Sequence, residues 1–406
     1  MLPDDTRRVG ALFLIFLRLG LTSFGGPIAH LAYFRAEFVA RRGWLSERQY
    51  AELVALCQLL PGPASSQVGM ALGLARAGYG GALAAWAGFT LPSAILLTLL
   101  ALGMTSSGTL LDSGVIHGLK IMTVAVVAHA VYAMARQHCA SLARAALMAI
   151  GCGWILLMPD AWAQLALIGG AAIAGILLFK PVVQPDADAL PASKGARAGA
   201  CWLVTFLALL LGLPILSAFY GASSASGFLL AQFDTFYRVG ALVFGGGHVV
   251  LPMLQSEVVN TGWISSDLFV AGYGAAQAVP GPLFTFAAFL GASMNGGAVQ
   301  GAASGWTGAA VCLAAIFIPS FLLVAGVLPF WARLRRNPQV QAALTGINAA
   351  VVGLLLAALY QPVWTSAIHD VIDVALALLA LAALTWWKRP VWQVVIASAL
   401  IGWLAG

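Results

Sequence analysis

The segment LRLGLTSFGGPIAH, Leu17 to His30, returns in altered form as YRVGALVFGGGHVV, Tyr237 to Val250. Arg238, Gly240 and Phe244 each stand 220 positions after Arg18, Gly20 and Phe24. Farther on, QLLPGP is answered by QAVPGP, so Gln277, Pro280, Gly281 and Pro282 follow Gln58, Pro61, Gly62 and Pro63 at an offset of 219. One residue has been lost between the motifs. Trp44-Leu45-Ser46 matches Trp263-Ile264-Ser265, Pro92-Ser93 matches Pro319-Ser320, and Gly118 with Tyr132 matches Gly346 with Tyr360. Repetition on this scale demands two copies of one structural plan.

The chain has 406 residues, 61% hydrophobic and 8% charged. Soluble domains carry about 25% charged residues, so this is a polytopic membrane protein. Its apolar segments are rich in Ala, Leu, Gly and Val without a period of two, which makes the class all-α rather than a barrel. The formal charge of +6 reflects the positive-inside bias of membrane insertion and does not imply nucleic acid. Cys57, Cys139, Cys152, Cys201 and Cys312 are scattered singly, as small apolar residues are, with neither disulfide nor metal spacing. Met1 to Arg8 leads into the repeated motif without a convincing cleavage site, so it reads as retained helix.

A spanning helix needs about 20 apolar residues. The arms Val9 to Phe24 and Ile28 to Ala40 are shorter, and Gly25-Gly26-Pro27 breaks them. The arms Glu47 to Leu60 and Ala64 to Ala75 flank Pro61-Gly62-Pro63, which a continuous helix cannot hold. Two re-entrant hairpins are predicted. Conventional spans follow at Gly81 to Met104, Val115 to Ala135, Leu142 to Met158 and Ala161 to Phe179. Lys180 to Gly199 is a polar linker, and one extra span, Cys201 to Phe219, precedes the second copy.

The expected organisation is a first repeat over 1–180, a linker plus extra helix over 181–220, and a second repeat over 221–406. Arg7, Arg8, Arg41, Arg42, Arg48 and Arg76 flank the first hairpins, which places those hairpins and the N-terminus in the cytoplasm. The extra span inverts the second copy, whose hairpin flanks carry Glu257, Asp267 and Asn295. Arg333, Arg335, Arg336, Lys388 and Arg389 then fall inside, and Val391 to Leu404 leaves the C-terminus outside. Inverted repeats with broken helices are the architecture of many secondary transporters.

In that architecture the four breaks converge, each exposing a helix N-terminus with free N–H groups and partial positive charge, a ready anion site. The termini begin after Pro27, Pro63, Gly247 and Pro282, and Gly25, Gly26, Gly245, Gly246 and Gly247 let an oxyanion approach the backbone. Arg18 and Arg238 either contact the ligand or pair with a carboxylate such as Glu37, Glu52 or Glu257. Ser65, Ser66 and Thr285 offer hydroxyls, and Gln58 and Gln277 amides. His30 and His248 are packing residues or proton relays. Lys120, opposite Asn348 in the repeat, is an asymmetric charge for substrate or coupling, or a partner of Asp112. No Walker loop, HExxH, Cys cluster or serine elbow points to an enzyme, and no cofactor is expected.

FLRLGLTSFGGPIAHL with QLLPGPASSQVG, and VFGGGHVVLPML with QAVPGPLFTFAAFLG, resemble the chromate ion transporter family in its long, two-domain form, from about Arg8 to Pro362. The resemblance implies a bacterial inner-membrane protein exporting chromate, driven by the proton gradient or membrane potential, conferring chromate resistance, with sulfate as competitor. It carries over onto Phe24, Gly25, Gly26, Pro27, Pro61, Gly62 and Pro63, and onto Phe244, Gly245, Gly246, Gly247, His248, Pro280, Gly281 and Pro282. Gly247 stands where the first copy has Pro27, so the two half-sites need not be equal. A passive anion channel and a membrane redox enzyme are the competing readings. Transporters of this build are often dimers, so a homodimer is one expected assembly.

Overall fold

The computed structural model describes residues 9–24, 26–106, 113–158, 161–179, 195–221, 224–244, 249–294, 304–331, 334 and 337–405. Among them there are helices and no strands. In chain order the helices are α1 Val9–Thr22, α2 Gly26–Arg35, α3 Glu47–Leu59, α4 Ala64–Ser106, α5 Ser113–His138, α6 Leu142–Leu157, α7 Ala161–Leu178 and α8 Ala196–Tyr220. There follow α9 Ala225–Leu242, α10 Val250–Val258, α11 Ser266–Ala278, α12 Phe286–Ser293, α13 Gly305–Val327, α14 Pro338–Ala358, α15 Val371–Thr385 and α16 Val391–Ala405. Five stretches are long and apolar enough to cross a bilayer: Ala64–Thr105, Gly114–His138, Ala196–Tyr220, Gly305–Phe330 and Pro338–Ala367. The protein is an all-α, multi-pass membrane protein.

Local sequence sets the boundaries. Gly43 and Gly262 take positive φ at the two Trp corners. Ser46 and Ser265 then cap α3 and α11 by accepting the Gln49 and Leu268 N–H groups. The 43 residues of α4 would extend about 65 Å if straight, twice what a bilayer core needs. They do not run straight: Ala77 (φ −139°) and Gly78 (φ +64°) are non-helical, and Gly73 packs against the Gly81 carbonyl. The second arm of the predicted hairpin and the span after it are therefore separate segments joined at a tight corner. The linker expected to reach Gly199 ends earlier, because α8 has begun by Ala196. The helix opens with Ala196, Ala198 and Ala200, and Ala has the best helix propensity, so Gly199 does not break it.

The last helices of each copy pack on the other copy. α6 and α7 lie against α14, while α15 and α16 lie against α5. The matched glycines Gly118 and Gly346 mark both seams, one against the Ser398 carbonyl of α16 and the other against the Ala171 carbonyl of α7. Small residues let helix backbones approach where no hydrophobic effect drives association. α8 packs outside this interlock, against α9 and α13, with Val204, Leu211 and Ile215 exposed on its outer face.

Candidate functional site: a polar cavity at the helix breaks

Both Pro-Gly-Pro breaks have the same backbone, with φ +111° at Gly62 and +110° at Gly281, a region glycine alone adopts readily. Each break is tied to the Phe-Gly-Gly break of the other copy. The Gly62 N–H donates to the Val243 carbonyl at 2.7 Å, and the Gly281 N–H donates to the Ser23 carbonyl at 3.0 Å. Ser23 and Val243 occupy the same motif position, 220 residues apart. Matched serines close the arrangement, Ser320 Oγ beside Gly62 and Ser93 Oγ beside Gly281. These two backbone bonds join the breaks of the two copies in reciprocal pairs.

A cavity of about 280 Å³ opens beside this junction. Gly26, Pro27, Gln58, Gly62 and Ala64 line it from the first copy's breaks, and Gln277 and Asn348 from the second copy. α5 adds His129, Gln137 and His138. The volume suits a small oxyanion with several waters, each needing about 30 Å³. The first turns of α2 and α4 begin at its wall, so free backbone N–H groups and the positive ends of two helix dipoles are directed there. Among the described residues, no Asp or Glu lines the cavity. His129 Nδ1 is buried without a hydrogen-bond partner among the described residues. Buried polar atoms are normally paired, so an unpaired imidazole nitrogen in the cavity wall fits a ligand.

The charged residues predicted for the site lie elsewhere. Arg238 takes the carboxylate-pairing alternative: its Nη1 and Nη2 donate to Glu257 at 2.8 and 3.2 Å and its Nε to Asp234 at 3.1 Å. Arg18 is exposed on α1 and lines a separate cleft with Glu37, Arg41 and Arg42. Lys120 is buried and bonds to Asp267 across the two copies, while Asp112 lies outside the described residues. Its counterpart Asn348 is the residue that reaches the cavity.

His30 is buried with its ring perpendicular to that of Phe89, and its Nδ1 lies 3.4 Å from Ser65 Oγ. Thr285 donates its hydroxyl to the Pro282 carbonyl at 2.7 Å, in a 3-10 turn, Leu283–Thr285, that leads into α12. Helix formation therefore starts beyond Pro282 by a full turn, and this hydroxyl is spent on the turn itself. Pro61 and Pro63 are buried in their break, and the Pro61 carbonyl accepts Gln67 Nε2 at 2.6 Å. Pro280 shapes the matching turn. Phe24 packs on Trp392 and Phe244 on the core. Gly25, Gly245, Gly246, Gly247 and His248 lie outside the described residues.

Sequence reasoning missed His129, Gln137 and His138. The signal was present: His129, Ala133 and Gln137 recur every four residues along one face of an apolar span, where polar groups are costly and face a cavity or the bundle interior.

Broken helices joined beside a cavity, with amide and imidazole groups set in a largely apolar wall, sit inside a multi-pass helical membrane scaffold. The chain belongs to the chromate transporter family, whose sequence profile matches residues 10–176 and 230–403. It is 29% identical over 405 residues to the chromate transport protein of Pseudomonas aeruginosa, covering 97% of this chain and 91% of that one. It is 28% identical over 426 aligned positions to the chromate transport protein of Cupriavidus metallidurans, covering 99% and 97%. An uncharacterized Bacillus subtilis transporter, YwrA, aligns over 176 residues at 30% identity, covering 42% of this chain but 94% of its own length. No solved structure matches the chain.

Proposed function

We propose that this protein carries chromate across the bacterial inner membrane, moving it outward by alternating access between two inverted repeats and so conferring chromate resistance. The cavity at the helix breaks carries the reading. It has helix N-termini and amide and imidazole donors and, among the described residues, no carboxylate, which suits a tetrahedral dianion. Homologues named for chromate transport over nearly the whole chain supply the substrate. Chromate and sulfate share shape and charge, so donors of this kind discriminate between them weakly and sulfate competes. The energy source is the proton gradient or the membrane potential. The charge distribution puts the N-terminus in the cytoplasm and the C-terminus in the periplasm.

The decisive measurement is uptake of labelled chromate into everted vesicles, with and without excess sulfate and an uncoupler. Accumulation that sulfate reduces and the uncoupler abolishes is the expected result. Flux that only follows the anion's own gradient would make the protein a channel, and no chromate movement at all would remove the reading.

A further inference from the structure

A cleft of about 400 Å³ lies between α1 and the chain that runs from α2 through Ala36–Arg41, away from the polar cavity. Arg18, Arg41 and Arg42 line it, and among the described residues Glu37 is the one acidic side chain there. Both Glu37 oxygens are already engaged, one by Arg42 at 2.6 Å and the other by Arg41 at 3.0 Å. Glu37 therefore cannot neutralise Arg18, and the cleft keeps an excess of two positive charges. The second copy has the opposite balance. There Arg238, the counterpart of Arg18, is held by two carboxylates, Glu257 and Asp234. Their first-copy counterparts are Glu37 and Leu14.

The cleft is also amphipathic. Ile15 and Tyr33 line it beside the guanidiniums, and the same outer face of α1 exposes Leu14 and Leu21. Guanidinium binds phosphate oxygens bidentately, and an apolar wall beside it accommodates an acyl chain. The charge rule places these arginines on the cytoplasmic side, where the leaflet surface is anionic.

We infer that the Arg18–Arg41–Arg42 cleft binds the phosphodiester of an anionic phospholipid, with the acyl chains along α1. The site is distinct from the transport cavity and does not depend on what the cavity carries.

The test is native mass spectrometry of the purified full chain, titrated with phosphatidylglycerol or with phosphatidylcholine of the same acyl chains. Phosphatidylglycerol is expected to bind at least about fivefold more tightly, since each basic residue near a charged headgroup contributes about 1 kcal/mol. Arg18→Gln and Arg41→Gln, both at exposed side chains, are each expected to reduce that preference about fivefold. Arg136→Gln, the same charge change at the end of α5, should leave it intact. Equal binding of the two lipids, or a preference unchanged in both cleft variants, would overturn the assignment. So would loss of the phosphatidylglycerol preference on adding inorganic phosphate or chromate at constant ionic strength, which would give the cleft to free oxyanions.

Discussion

The two copies share a backbone device and differ in what surrounds it. After Pro63 the first copy reads Ser65-Ser66-Gln67; after Pro282 the second reads Phe284-Thr285-Phe286. Phe284, Phe286 and Phe289 are fully buried, and Phe286 stacks on Phe289 and meets Phe269 and Tyr273 edge-on. In the first copy the same turn keeps Ser66 Oγ and Gln67 Oε1 buried without partners among the described residues, in the first turn of the helix whose Ala64 lines the cavity. The arginines follow the same division. Arg238 is locked between two carboxylates, whereas among the described residues no carboxylate forms an ion pair with Arg18. The two matched turns therefore differ in filling, one packed with aromatic rings and the other carrying small polar side chains.

The largest effect should come where the copies are alike. Gly62→Ala and Gly281→Ala each force an L side chain to positive φ against a serine hydroxyl. Both are expected to remove most folded protein from the membrane, scored by immunoblot beside chromate flux. Tolerance of either one would show that its copy does not need the cross-copy backbone bond.

Next, the aromatic filling should respond in stability alone. Phe284→Ala is expected to cost about 3 kcal/mol, seen as a lowered thermal midpoint in detergent, with the chromate KM of surviving protein unchanged. A raised KM would place the second copy's break in the binding site. Arg238→Gln leaves two largely buried carboxylates facing each other and should destabilise by about 2 kcal/mol. Arg18→Gln should leave the thermal midpoint nearly unchanged, which sharpens the contrast between the two arginines.

The cavity should show the reverse behaviour. Gln58→Leu or Gln277→Leu is expected to raise the chromate KM about tenfold through loss of one charge-assisted hydrogen bond, with abundance preserved. Equal loss of abundance and activity would make these glutamines structural.

The smallest effect belongs to Glu47. Two hydrogen bonds from Arg35, both 2.8 Å, hold its carboxyl below the ordinary range. Stability from that shift is present above the unfolded-state value and disappears as pH falls through the lower folded value. Both side chains are exposed, so Glu47→Gln should lower the thermal midpoint at pH 7 only slightly, and the difference from the parent protein should vanish in acid, below the folded-state value. The second copy has Gln255 and Ser266 at these places and no such dependence.

Much of the scaffold was legible because it rests on residues with few alternatives. Pro61-Gly62-Pro63 and Pro280-Gly281-Pro282 break a helix wherever they occur, and the Gly-Trp corners with Ser46 and Ser265 start the next one. Gln58, Gln277, Gly26 and Pro27 were found on that basis, and the structure brings them to one cavity. The partners of the charged residues were harder to read. Arg18 and Arg238 look equivalent in sequence, and Lys120 gave no sign of Asp267, because pairing depends on which helix face meets which neighbour.

By itself, the sequence determined the class of protein, the all-helical backbone, the duplication and the positions of the breaks. These follow from composition, from residues that cannot continue a helix, and from a repeated pattern, all local properties of the chain. Only the tertiary structure decided that Gly62 bonds to Val243 and Gly281 to Ser23, that α5 contributes His129 to the cavity, and that Arg238 is neutralised while Arg18 is not. Those outcomes depend on distances between residues far apart in sequence, set when the helices of two diverged copies of one motif pattern pack against one another.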